Sequence, residues 1–537
     1  MSTTVTLARN TNQAFGIGQY AIDFLSGKLG SGPSMAVLER TKLFHTDSVL
    51  CGVSALALGT NAPTLLRQEA LEYPEVSGTR PGRPCHVGGA TVFGSNQKVK
   101  AEKAILANSS AVREWDSNGT NFGYNPALGH TAGEFGHNDF YPVVIAACQQ
   151  RGLDGATALR AMVCLDEIRG RLAEVFSLKT YKIDHVVHGA IASAAVYGAL
   201  MGATAEQIES AIGQFVAHYI PWRAIRAGKQ LSDSKGASAA ISAEVAVLAM
   251  KRALSGFVGP KDVFRNPESM FRQFEKTSGD SPFDLVLSHS GDDFAVMGMH
   301  FKLGLYEHQS AGALQGVIDL IAAHPELLVP GRIRRILIKA YEPAFGIIGD
   351  SAKRDPHTRQ SADHSMVFIV GRLLKRAVDS QHEIERNPPP SIAPLSGGEH
   401  SKATDDLWKK LMLSPYDYSV EAIFDPQTRE IMALIEFEHG GPEYDRRYPE
   451  GIPTSVVITD REGKTYDSGL VMFPAGHARN TAADLKGILE HKFEMLGSLG
   501  LADVRGVVRR FENLDRLSPA EVSGIYDFEI ASRPGYE

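Results

Sequence analysis

Histidine, lysine and aspartate recur at five well-separated places in this 537-residue chain, most of them beside Gly, Ala or Ser. The pieces are Gly129-His130 with Gly136-His137-Asn138-Asp139, Asp184-His185-Val186-Val187-His188, Ser234-Lys235-Gly236, Tyr306-Glu307-His308 and Ala362-Asp363-His364-Ser365. Small neighbours let a small ligand come close. Imidazole exchanges protons near neutral pH, and a lysine can hold a carboxylate. Together these types suit an anionic substrate and proton-transfer chemistry without a cofactor. A single histidine reads more simply as a satisfied core or surface residue, so the argument rests on the set.

Other chemistries are poorly supported. Cys51, Cys85, Cys148 and Cys164 form no C-x-x-C pair, which argues against a cysteine-built zinc or iron–sulfur site. His130, His137 and Asp139 are irregularly spaced, and there is no H-E-x-x-H, so no metal is expected. Gly88-Gly89 lacks the strand, G-x-G-x-x-G and helix of a dinucleotide site. A formal charge of -7 argues against nucleic acid or an anionic membrane as partner. No apolar run reaches the roughly 18 residues of a spanning helix. The N-terminal stretch has no apolar signal core and carries one Arg ahead of Asp23. With four cysteines in this length, a reducing compartment is expected: the cytoplasm first, the mitochondrial matrix second.

The elements that must position these residues change character along the chain. Its length exceeds one core, so two domains are expected. Hydrophobic content of 43% and charged content of 22% are those of a globular protein. Residues 157–177 and 237–255 show helical spacing, and Thr204-Ala-Glu-Gln207 reads as a capping box. The Ala- and Gly-rich run HGAIASAAVYGALMGA reads as a buried helix packed closely on others. Asp166 and Glu167 are expected on a helix surface. In the second half, 332–341, YSVEAIF (418–424), MALIEFEH (432–439) and TSVVITD (454–460) look like strands. Asp460-Arg461-Glu462-Gly463 reads as a hairpin turn, and NPPPSIAPLSGGEHS (387–401) as a surface loop. Helical patterning returns from about 480.

In order and spacing the chain resembles the MmgE/PrpD family. The carrying segments are Asp47-Ser48-Val49-Leu50-Cys51-Gly52, Trp115-Asp116 through Gly136-His137, Ile183-Asp184-His185 and Ser234-Lys235-Gly236. They continue with Phe301-Lys302 to His308, Ala362-Asp363-His364 and Phe473-Pro474-Ala475-Gly476-His477-Ala478-Arg479. The resemblance implies a mainly α fold, a large helical domain (14–290) interrupted by a smaller α+β lid (291–478), with helices 479–537 returning to the first. It also implies a homodimer without metal or cofactor. The activity implied is dehydration of a citrate-like polycarboxylate, foremost 2-methylcitrate to 2-methyl-cis-aconitate. A decarboxylase or an epimerase on the same site design is the alternative.

The resemblance places Asp116, His137, His185, Lys235 and His308 in the catalytic set and Thr120 beside them. Such a reaction passes through a carbanion next to a carboxylate. It needs a base, an acid for the departing hydroxyl, and cations for developing charge. His137 and His185 are the expected proton carriers, and Lys235 the carboxylate anchor. Asp116 would orient a histidine or act as base. The acidic motif reads Asp116-Ser117-Asn118-Gly119-Thr120, with two acids fewer than usual, and His137 follows about ten residues late. His130 therefore competes for the same role. Leu305-Tyr306-Glu307-His308-Gln309 also departs from the family's usual Phe-Pro-Ala stretch. Arg223, Arg226 and Lys229 form a basic loop that either reaches the substrate or is a solvated charge run. Arg354 and Arg359, with Asp363-His364, either face the substrate from the lid or form a surface loop with a structural Asp–His pair.

Overall fold

The computed structural model describes residues 2–75, 88–226, 230–381, 402–533 and 536. The surface loop expected at 387–401, Cys85 and Lys229 lie outside them. The fold is mainly α. Among the described residues, nine α-helices build the first half: α1 (Gln13–Leu25), α2 (Met35–Ala57), α3 (Asn61–Leu71), α4 (Ala101–Arg113), α5 (Tyr141–Arg151), α6 (Gly155–Val175), α7 (Val186–Leu200), α8 (Ala205–His218) and α9 (Ser234–Leu254). Their starts are written in the sequence. Ser34 caps α2, Asp154 caps α6 by accepting from the Thr157 amide at 2.9 Å, and Thr204 with Gln207 forms the full capping box of α8.

The apolar helix α7 lies at the centre, packed against α1, α5, α6, α8 and α9. A helix apolar all round belongs in an interior. Its glycines set the closeness: a Cβ on Gly189 would stand 2.1 Å from the Phe140 ring. Asp166 and Glu167 are buried in α6, contrary to the surface placement expected. Asp166 pairs with Arg169 and accepts from Tyr141, while Glu167 pairs with Arg171 and accepts from the Ser288 and Ala295 amides. Buried charge survives there because each carboxylate oxygen has a donor.

The second half is organised by a four-stranded sheet in the order Thr465–Asp467, Thr454–Asp460, Ile333–Ala340, Ile435–His439, with the last pairing parallel and the others antiparallel. The turn at Asp460–Gly463 joins the first two, with Gly463 at φ 88°. The helix Ala311–Ala323 lies on Thr454–Asp460. The stretch 418–424 is not a strand: Ser419 accepts from the Ala422 amide and starts the short helix Val420–Ile423. A Ser cap outweighs the strand-like alternation over so few residues. Likewise Met432 ends the helix Pro426–Met432, so the neighbouring strand begins only at Ile435. The helices Leu485–Gly497 and Val504–Glu512 return to pack on α2.

Candidate active site

Helix α4 ends at Arg113, and the chain then turns through Asp116 at φ +51°. Asp is among the few side chains that tolerate this left-handed backbone, at roughly 1–2 kcal/mol. Just beyond, Thr120–Phe122 pairs with Phe135–His137 in a short antiparallel hairpin that sets Thr120 opposite His137. Thr120 Oγ1 donates to the Gly136 carbonyl at 2.8 Å. His185 is the residue before α7 and Lys235 lies in the first turn of α9. Gln309 precedes Ala311–Ala323, and His364 lies two residues before the helix Met366–Asp379. Four helices thus begin at or beside the same cleft, and their positive ends favour anions there.

The cleft is lined by Arg113, Asp116, Thr120, His137, His185, Arg223, Arg226, Glu307, Lys353 and His364, with Phe122, Phe135, Gln309, Ile347 and Ile348. It holds ≈ 480 Å³ of space between atoms, part of it open to solvent. At its floor Asp116 is ringed by three cations and an imidazole. Arg113 and Lys302 both donate to its Oδ1, His364 Nδ1 stands 3.1 Å and Lys235 Nζ 3.7 Å from its Oδ2. Lys235 also pairs with Asp363, which accepts from His364 Nδ1 at 2.9 Å. Burial alone would raise the Asp116 carboxyl; Arg113, Lys302, His364 and Lys235 outweigh it and hold the group well below the usual range. Burial pushes Lys235 and Lys302 down, with the neighbouring carboxylates opposing.

The two central histidines differ in what they offer. Arg113 Nη2 lies 3.2 Å from His137 Nε2. A guanidinium only donates, so this nitrogen accepts and the proton sits on Nδ1, which has no partner. His185 has Nδ1 3.4 Å from Asp184 Oδ1, and its buried Nε2 is unpartnered. Arg226 in turn grips Asp184. Burial, joined by Arg113, keeps His137 neutral; burial also keeps His185 neutral, against the pull of Asp184. The rings are 5.0 Å apart, edge to face.

The expected residues are not all at this place. His130 is buried elsewhere, with Nδ1 3.0 Å from Glu174, and lies outside the lining; His137 is the one facing the cleft. His308 stands behind the lining in a stack, 5.0 Å from His300, which lies 4.1 Å from His477. Burial pushes all three down, His477 to about 3. Arg223 lines the cleft and its buried Nη1 has no partner. Arg226 lines it too, but its guanidinium serves Asp184. Arg359 is not among the lining residues: it donates to the Glu114 carbonyl at 2.8 Å, pairs with the Glu114 carboxylate and lies over Trp115. Arg354 is exposed above Phe437. Asp363 and His364 are buried in the site and form no surface pair.

Sequence reasoning missed Arg113, Asp184, Lys302, Glu307 and Lys353 as site residues. Lys302 and Asp184 stand inside motifs already noticed, and Arg113 precedes one. Lys353 lies in a short turn, Ser351–Lys353, that carries no pattern. Asp116, Asp363 and His364 bring possible ligand atoms within 4.8 Å of one another. Lys235, Lys302 and Arg113 already occupy those carboxylates, and their charge would repel a divalent cation.

Residues 23–282 match the MmgE/PrpD N-terminal domain, so this part of the chain is an MmgE/PrpD domain. It is 24% identical over 339 residues to alkylcitrate dehydratase phiI of a fungal species (strain ATCC 74256), covering 63% of this chain and 60% of that protein, less than two thirds of its length. It is 24% identical over 481 residues to the mitochondrial 2-methylcitrate dehydratase of Yarrowia lipolytica (strain CLIB 122 / E 150), covering 85% of this chain and 79% of that protein. Both relatives are named as dehydratases, a class of lyase.

Proposed function

We propose that the protein is a cofactor-free hydro-lyase that removes water from a citrate-like polycarboxylate, with 2-methylcitrate the first substrate to test. The observation that carries this reading is the cationic floor around Asp116 next to two neutral imidazoles. Arg113, Lys235 and Lys302 supply charge for carboxylates and for the carbanion that develops beside one. Arg223, with an unpartnered nitrogen, can hold a second carboxylate. His185 has the form of a base: the Asp184 carboxylate stands 3.4 Å from one nitrogen and the other is free to take a proton. His137, neutral with its proton on Nδ1, can donate a hydrogen bond to the substrate but has no acidic proton to give. The two relatives named as dehydratases of alkylated citrates support the same substrate class.

The test is the ultraviolet absorbance of the new conjugated double bond. Chelator-treated protein is mixed with 2-methylcitrate, citrate and longer alkylcitrates. Turnover of an alkylcitrate that survives chelation and disappears in Lys235→Ala and His185→Gln is the expected result. No absorbance change with any of them overturns the dehydratase reading.

A further inference from the structure

The proposed elimination leaves one participant unassigned, the acid that protonates the departing hydroxyl. The inference that follows rests on that reading. We propose that Glu307 is this general acid, held by its backbone and by one carboxyl oxygen so that the other faces the cleft. Glu307 lines the cleft just ahead of the turn His308–Ser310. Its amide donates to the Asp363 carbonyl at 3.0 Å, and its Oε2 accepts from the Gln309 amide at 2.8 Å. That bond fixes the side chain in the manner of a helix cap.

The contrast with the other acids of the site is what selects it. Asp116 is paired with Arg113 and Lys302, Asp363 with Lys235, Asp184 with Arg226, and Glu114 with Arg359. Glu307 has no ion pair among the described residues. The groups that act on it are Asp116 and Lys302 on the floor, Lys353 and Arg223 at the sides, and the Tyr341 and Tyr448 hydroxyls. Burial, then Asp116, pushes its carboxyl up to about 7, with Lys302 and Lys353 opposing. It can therefore carry a proton at neutral pH where the paired acids cannot. Burial brings Lys353 down to about 8, with Glu307 opposing, so neither partner fixes the other as a permanent ion.

The step balances. The Glu307 proton passes to the substrate hydroxyl, the C–O bond breaks with its electron pair on oxygen, and water leaves. His185 Nε2 takes the proton from the neighbouring carbon, and the C–H electron pair becomes the second bond of the alkene. Glu307 ends as carboxylate and His185 as imidazolium, and exchange with solvent resets both.

Glu307→Gln keeps an oxygen for the Gln309 amide but has no proton to give, so it separates acid from cap. With the alkylcitrate that the wild type turns over best, kcat is expected to fall about 10²-fold or more, with KM and Tm nearly unchanged. The wild-type rate should fall as pH rises through about 7, that limb should vanish in the Gln variant, and Glu307→Asp should restore part of it. A Gln variant within threefold of wild type, with the limb intact, overturns the assignment and leaves the dehydratase reading standing. If the wild type turns over none of the citrates, infrared titration decides the acid separately. A protonated-carboxyl band that titrates near neutrality and is absent in Glu307→Gln supports a poised proton donor for another substrate. Its absence from the wild type overturns the acid as well.

Discussion

Asp116 carries two burdens at once, a left-handed backbone and a shared anion for several cations. They can be separated. Asn tolerates the same backbone but carries no charge, whereas Ala removes the charge and strains the turn. Asp116→Asn is expected to lower stability by about 3–5 kcal/mol, because Arg113, Lys302 and Lys235 lose their common partner while buried. Asp116→Ala should lose roughly 1 kcal/mol more. Equal unfolding free energies in denaturant titration would remove the backbone argument. At this scale the sequence was informative about types and poor about partners. His137, His185 and Lys235 stood out by their types and small neighbours, Asp116 came only from the resemblance, and the four meet at one cleft or its floor. Arg359 and Arg226 look like substrate cations in a linear reading. Only the fold shows Glu114 and Asp184 already holding them.

The site rests on short pieces of backbone fixed by long helices. α7 sets the position of His185 because its glycine face lets Phe140 press against it. Gly189→Ala would place a methyl group 2.1 Å from that ring. The variant is expected to lose about 1–3 kcal/mol through overpacking, seen as a lower Tm. An unchanged Tm would mean that the ring moves aside without penalty. The long helices were legible because apolar residues recur at helical spacing over many turns. The hairpin that aligns Thr120 with His137 was not, since three-residue strands give no alternation to count. The misreading of 418–424 has the same root, a short segment decided by the Ser419 cap.

Across the whole molecule, the two halves meet on buried charge. Lys235–Asp363, Arg359–Glu114 and Lys302–Asp116 all join first-half residues to residues beyond 300. Their junction also sets the response to acid. Burial lowers His137, His185, His300, His308, His364 and His477 below the ordinary histidine value of 6.5, the last two to about 3. Below pH 6.5 the unfolded chain therefore binds protons that the folded chain refuses. Stability is full above that value and is lost as pH falls from about 6.5 towards 3. Asp116, Asp184 and Asp363, held low by their cations, act in the same direction at the acid end of the window. Tm is expected to decline steadily between pH 7 and 5, a range in which ordinary carboxylates are still ionised. His300→Gln and His308→Gln, which remove two refusing groups, should flatten the decline. A Tm that holds constant from pH 7 to 5 would mean that these imidazoles take up protons in the folded protein as they do in the unfolded chain.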